Sequence, residues 1–186
     1  ETMVTGDESL QKRPMKRVID PLTAMGAAIE GSGGRAPLRI KGRSPLTAID
    51  YEPAAASAQL KSCVLLAGLN ADGVTSVLEN TPTRDHTERM FRWLGVEVKE
   101  EKVAGGGVRL SVSSEARLTA RDISVPSDLS SAAFFVVAAA FLDGSELRMP
   151  NVGFNPSRKA VVDVLRDLGI GITTSNEREV SNEPVA

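Results

Sequence analysis

Residues 54–69 read AAASAQLKSCVLLAGL, and they restrict the possible folds more than any other stretch. A small polar cluster, Ser57-Ala58-Gln59, opens a run that is apolar almost all the way round: Cys63, Val64, Leu65, Leu66, Ala67 and Leu69. A helix without a polar face must be covered on every side, so it belongs inside a fold. Its N-terminus is then expected deep in the structure, where free backbone N–H groups and the positive end of the helix dipole favour an anion. Ser57 can cap those N–H groups or donate its hydroxyl to a bound oxygen, and Gln59 adds an amide in the same turn. A buried helix with such a polar tip is a ready site for phosphate or carboxylate.

The same design recurs later in the chain. Both copies enter with a proline (Pro53, Pro126), place a serine four residues on (Ser57, Ser130) and run into apolar residues, in the second case as far as Leu142. After each comes a turn (Ala71-Asp72-Gly73; Asp143-Gly144) and a strand-like run (Val74 to Leu78; Glu146 to Met149). An amphipathic segment follows. Three such segments, Arg13 to Gly26, Arg84 to Gly95 and Arg158 to Gly169, close on Met-Gly or Leu-Gly. Glycine just past a helix end is a stop signal. Each is followed by a strand-like run, AAIE, VEVK or IGIT. Thr81-Pro82 and Asn155-Pro156 are expected to prepare the N-caps of the second and third helices. Pro21 should kink or break the first. Glycines 105–107 mark a hairpin turn.

The unit therefore reads buried helix, strand, amphipathic helix, strand, strand, with a period of roughly 70 residues. The fold class this implies is α/β (α+β), built from repeated βαβαββ units with the apolar helices inside and sheets around them. Arg117 to Val125 is a plausible crossover between domains. Residues 1–124 are expected to hold two repeat units, the first incomplete, and residues 125–186 the incomplete start of a further domain.

Totals exclude several function classes. The chain has 186 residues and a net charge of −2, so nothing favours nucleic acid or a membrane surface. The longest apolar run, Ala132 to Leu142, is too short to cross a bilayer. The single cysteine, Cys63, rules out an internal disulfide, which suits a reducing cytosol, and in an apolar helix it is expected to be inert. The N-terminal residues lack the apolar core of a signal peptide, and the absence of an initiator Met suggests a piece of a longer protein. No zinc-ligand spacing, P-loop or dinucleotide fingerprint is present; Gly31-Ser32-Gly33-Gly34 is a turn without the phosphate-cradling lysine. Ser57 has no neighbouring His/Asp pattern for a hydrolase triad. His86 stands on a polar helix face, and Lys61 should point to solvent or to a carboxylate.

Arginines recur at one place. Arg84 and Arg158 start two of the amphipathic segments, and Arg13 lies near the equivalent position in the first. A cation at a helix N-terminus opposes the dipole by roughly 0.3–1 kcal/mol. Either an anion binds between arginine and helix end, or neighbours such as Asp85 and Asp163 screen the charge in weak surface pairs.

Five blocks, in order, resemble the 5-enolpyruvylshikimate-3-phosphate synthase family, the 3-phosphoshikimate 1-carboxyvinyltransferases. They are KRPMKRVIDPL (12–22), SAQLKSCVLLAGL (57–69), TRDHTERM (83–90), PSDLSSAAFFVVAAA (126–140) and NPSRKAVVDVLRDLG (155–169). The SAQLK and NPSR forms look like the class II branch, whose members often tolerate glyphosate, although NPTR is the commoner spelling. The resemblance implies two domains of the inside-out α/β barrel type, each of three βαβαββ units, with the substrates in the cleft.

By that resemblance Ser57, Ala58, Gln59 and Arg84 match shikimate 3-phosphate contacts. Arg13 and Gln59 match the phosphoenolpyruvate side. Ser57, Gln59 and Arg84 are then expected to face one anionic pocket. Ser127-Asp128 lies where the chain passes between domains. The family reaction moves the carboxyvinyl group of phosphoenolpyruvate to the 5-hydroxyl of shikimate 3-phosphate and releases phosphate, without cofactor or metal. The family's N-terminal Lys-Ser-x-x-x-Arg stretch, its Gly-Asn-rich loop, its catalytic Asp and its Lys-Glu-Ser-Asp-Arg block are not among these residues. No catalytic acid or base is therefore assigned, the partner expected is the rest of the parent chain, and this piece alone should be inactive. Two other readings are UDP-N-acetylglucosamine 1-carboxyvinyltransferase, which lacks SAQxK at the buried helix, and a non-catalytic anion-binding repeat module.

Overall fold

Residues 1–186 are described by a computed structural model. The chain opens with strand β1 (Thr2–Val4), helices α1 (Glu8–Gln11) and α2 (Lys16–Ala24), and a hairpin of β2 (Ala28–Ser32) and β3 (Arg35–Lys41). These strands form an antiparallel sheet in the order β1-β3-β2. A complete βαβαββ unit follows: β4 (Asp50–Tyr51), α3 (Ala58–Gly68), β5 (Val74–Glu79), α4 (His86–Trp93), β6 (Lys99–Lys102) and β7 (Val108–Ser113). Its sheet runs β4-β5-β7-β6, with β4 parallel to β5 and the other pairs antiparallel. Apolar residues on alternate positions of β7, Leu110 and Val112, turn to the same face and are buried. They stand opposite Val77 and Thr75 of β5, which fixes the register.

The last part holds α5 (Leu129–Phe141), α6 (Ala160–Asp167), β8 (Arg178–Val180) and β9 (Glu183–Val185). It repeats the same topology in skeletal form. A parallel bridge between Ser127 and Val152 stands where β4 meets β5 in the complete unit. An antiparallel bridge between Gly153 and Val185 stands where β5 meets β7, and the β8–β9 hairpin stands where β6 meets β7. The expected strands at 146–149 and 170–173 do not form. A strand needs a neighbour to satisfy its backbone, and no further strand lies alongside these segments.

Two compact units emerge from the contacts. The first is Glu1–Thr83 with Val96–Arg117, and the second is Arg84–Gly95 with Leu118–Ala186. The first buries Met25, Leu38, Leu60, Val64, Leu65, Val77, Val96, Leu110 and Val112. In the second, Leu129, Ala132, Val152 and Val162 form a small cluster, flanked by Met149, Phe154, Val161 and Ile172. No helix is long and apolar enough to cross a membrane.

The glycine stops are where the sequence places them: Gly26, Gly95 and Gly169 take φ of +92°, +83° and +88° immediately after the C-caps of α2, α4 and α6. Several other expectations need correction. Helix α2 runs unbroken across Pro21, which is buried within it. Thr81 caps nothing, because α4 begins only at His86 after Asp85; α6 likewise begins at Ala160, after an Asn155 turn in which the Asn155 Oδ1 accepts from the Ser157 amide at 2.9 Å. Arg84 and Arg158 thus each precede their helix by two residues.

Neither apolar helix is covered all round. On α3 one face is buried, through Leu60, Lys61, Val64, Leu65 and Gly68, while Leu66 is exposed. Helix α5 buries only Leu129 and Ala132; Phe134 is 80% exposed and Phe141 85%. The reason is the same for both. Each helix has packing partners on one side only, and for α5 those partners are a few residues rather than a sheet.

Candidate functional site

The polar tip of α3 is built as capping requires. Ser57 is extended (φ −153°, ψ 106°), and its hydroxyl accepts from the Leu60 amide at 3.3 Å. The Lys61 amide bonds to the Ser57 carbonyl, and the Ser62 hydroxyl folds back on the Ala58 carbonyl at 2.8 Å. Ser57 and Ala58 are half-buried and Gln59 is exposed. The helix end therefore opens at the surface of its unit and not deep inside, since burial begins only at Leu60.

One neighbour of this tip was not among the residues singled out from the sequence. Arg17, in the first turn of α2, donates from NH1 to the Gln59 Oε1 at 2.8 Å. Helix α2 packs beside α3, which brings the two side chains together. The available signal was spacing: Arg17 is four residues after Arg13 in the KRPMKR block. Arg13 itself is exposed, lies just ahead of α2, and uses only its backbone amide, on the Leu10 carbonyl at 3.1 Å.

Below the tip, the Lys61 ammonium is 1% exposed and sits 3.0 Å from the Glu79 Oε1. Of the two destinations expected for Lys61, it takes the carboxylate. The same Glu79 oxygen accepts from the Thr83 amide at 3.1 Å and from the Thr83 hydroxyl. A buried charge pair joins α3 to the end of β5, and through it to the residue before Arg84. Cys63 is half-buried, and burial pushes its thiol pKa up, which keeps it protonated and unreactive.

The second unit holds the other arginines. Arg84 is exposed and takes part in no side-chain hydrogen bond or ion pair within its unit. Arg158 differs: it bonds Asp128 at 2.8 Å and the Ser130 hydroxyl. Its partner is thus neither of the two acids anticipated. Asp128, and not Ser130, caps α5, accepting from the Ser130 amide at 3.1 Å and the Ser131 hydroxyl at 3.2 Å. The Ser130 amide does most to hold the Asp128 carboxyl below its ordinary pKa; Ser131 and Arg158 add to this against a smaller opposing effect of desolvation.

From its polar helix face the His86 Nδ1 reaches the Glu183 Oε1 of β9, at 2.7 Å. Nearby, Asn155 donates to Asp85 at 2.6 Å, and Arg89 binds Asp85 at 2.8 Å. Burial alone would raise the Asp85 carboxyl, but the Asn155 bond and the Arg89 charge outweigh it and leave the pKa lowered. A cleft in this unit is lined by Arg89, Lys159, Arg166 and Arg178. Each of these cations is already engaged, with Asp85, Asp163, the Ile172 carbonyl and Asn151 respectively. They offer a ligand little unspent charge.

The capped helix tip with its arginine and glutamine is a donor-rich surface suited to an oxyanion. The sequence matches the family described as EPSP synthase (3-phosphoshikimate 1-carboxyvinyltransferase) over residues 1–185. It is 54% identical over its whole length to the 3-phosphoshikimate 1-carboxyvinyltransferase of Alkalilimnicola ehrlichii. It is 56% identical, over 97% of its length, to that of Novosphingobium aromaticivorans. Each match covers 41% of the relative, so the chain spans about two-fifths of the length of these proteins. The solved EPSP synthase of Acinetobacter baumannii superposes with a TM-score of 0.82 at 46% identity, covering 99% of this chain and 41% of that one. Five ordered motifs, the βαβαββ topology and a family match across nearly every residue agree, and the chain belongs to the EPSP synthase family.

Proposed function

We propose that this chain is part of an enzyme that transfers the carboxyvinyl group of phosphoenolpyruvate to the 5-hydroxyl of shikimate 3-phosphate, releasing phosphate. The observation that carries the reading is the 54–56% identity, over 97–100% of this chain, to relatives bearing that activity in their names. Ser57, Ala58, Gln59 and Arg84 contact shikimate 3-phosphate, and Arg13 and Gln59 contact phosphoenolpyruvate. In the reaction the methylene carbon of phosphoenolpyruvate is protonated, and the 5-hydroxyl attacks the adjacent cationic carbon and loses its proton. The tetrahedral intermediate then expels phosphate while its new methyl group gives up a proton, which restores the carbon–carbon double bond. Both substrates are anions. The task of these residues is to hold two mutually repelling molecules in register with preorganised donors. No residue of this chain is assigned as general acid or base, and turnover requires the rest of the parent protein. Residues 1–124 form most of one domain and residues 125–186 begin another, whose remaining part covers the exposed apolar face of α5; burial of Phe134, Phe135 and Phe141 supplies the driving force.

The test is calorimetric titration of the parent enzyme with shikimate 3-phosphate. Arg84 has no structural partner to lose, so Arg84→Ala is expected to weaken binding by about 1.5–3 kcal/mol, the worth of a charge-assisted bond, and to leave the melting temperature unchanged. Ser57→Ala is expected to cost less in binding and about 1 kcal/mol in stability, through the lost cap. Wild-type affinity in Arg84→Ala rejects its assignment.

A further inference from the structure

We infer that Arg17 is a positioning residue that sets which end of the Gln59 amide a ligand meets. The inference rests on the proposal that Gln59 contacts substrate. A primary amide is two-faced, with an accepting oxygen at one end and a donating nitrogen at the other. A guanidinium has donors only. With Arg17 NH1 at 2.8 Å, the Gln59 oxygen must face Arg17, so Nε2 and its two N–H groups face away. No other side-chain bond engages Gln59, so both N–H groups stay available. The amide sits in the first turn of α3, beside the Ser57 cap, and there presents donors to an incoming phosphate, carboxylate or hydroxyl oxygen.

Without Arg17 no side-chain bond distinguishes the two ends of the amide. It rotates freely and presents its oxygen to the anion for part of the time, which removes a donor and adds a repulsive acceptor. Arg17 and Gln59 come from different helices, so their contact depends on the packing of α2 on α3. Both side chains are exposed, so removing either leaves no buried polar group behind.

A double-mutant cycle in the parent enzyme tests the idea, with shikimate 3-phosphate affinity by calorimetry and phosphoenolpyruvate KM and kcat as readouts. Arg17→Ala is expected to weaken whichever substrate Gln59 contacts by roughly tenfold to a hundredfold, the loss of one hydrogen bond to a charged group. The same change in a Gln59→Ala background is expected to do almost nothing, because the amide to be oriented is gone. Arg17→Lys keeps a donor for the amide oxygen and should recover much of the loss. Melting temperatures of all variants should match the wild type. Equal effects of Arg17→Ala with and without Gln59 overturn the inference, since Arg17 would then touch the ligand itself. Wild-type behaviour of Arg17→Ala alongside an impaired Gln59→Ala also overturns it. Wild-type behaviour of Gln59→Ala for both substrates instead rejects the substrate contact, and with it the basis for any positioning role.

Discussion

Lys61→Met isolates the buried charge pair of α3. Methionine keeps most of the volume of the lysine stem and removes the ammonium. In the native protein that ammonium lies 3.0 Å from Glu79, with the two side chains 1% and 12% exposed. The variant leaves the Glu79 carboxylate almost out of water with only the Thr83 amide and hydroxyl as donors. Removing one partner of a buried pair costs about 3–5 kcal/mol. Two surviving donors and a slightly open carboxylate place this case at the low end, about 3 kcal/mol. That is a large part of a typical folding free energy of about 5–15 kcal/mol. Adding Glu79→Gln removes the orphaned charge, while the amide oxygen still accepts from Thr83. The double variant is therefore expected to recover at least half of the loss. Urea unfolding of the parent enzyme, followed by circular dichroism with a common slope, reads both. A Lys61→Met midpoint equal to the wild type, or a double variant less stable than the single, refutes the view of Lys61–Glu79 as one desolvated unit.

Two further outcomes follow from close packing and from charge. A Cβ at Gly68 would stand 2.8 Å from the Thr75 Cβ and 2.9 Å from the Val112 Cγ2. Gly68→Ala is therefore expected to destabilise by about 1–3 kcal/mol despite the better helix propensity of alanine, and a rise in thermal midpoint would contradict it. Asp85 has a pKa lowered below 3.8 in the fold, so its contribution is present above the unfolded pKa and fades as pH falls through the folded one. The stability gap between wild type and Asp85→Asn should accordingly narrow as pH drops from about 5 to 3, and a gap constant with pH, measured by thermal melts, rules this out.

What the sequence determined by itself is local. The Ser57 cap, the glycine stops at 26, 95 and 169, the hairpin turn at glycines 105–107 and the order of helix and strand in the complete unit follow from capping, positive φ and periodicity within a few residues. The family was legible for a related reason, because its motifs are contiguous runs such as SAQLKSCVLLAGL. Pro21 shows the limit of local rules: tertiary packing buried it inside α2 where propensity predicts a break. Only the tertiary structure decided the pairings Arg17–Gln59, Lys61–Glu79, Arg158–Asp128 and His86–Glu183. Their partners lie far apart in the chain, and no spacing rule connects residues on different elements. It also decided exposure. The composition of α5 demands burial on all sides, but whether a helix is buried depends on what packs around it, and these residues supply cover for only one side.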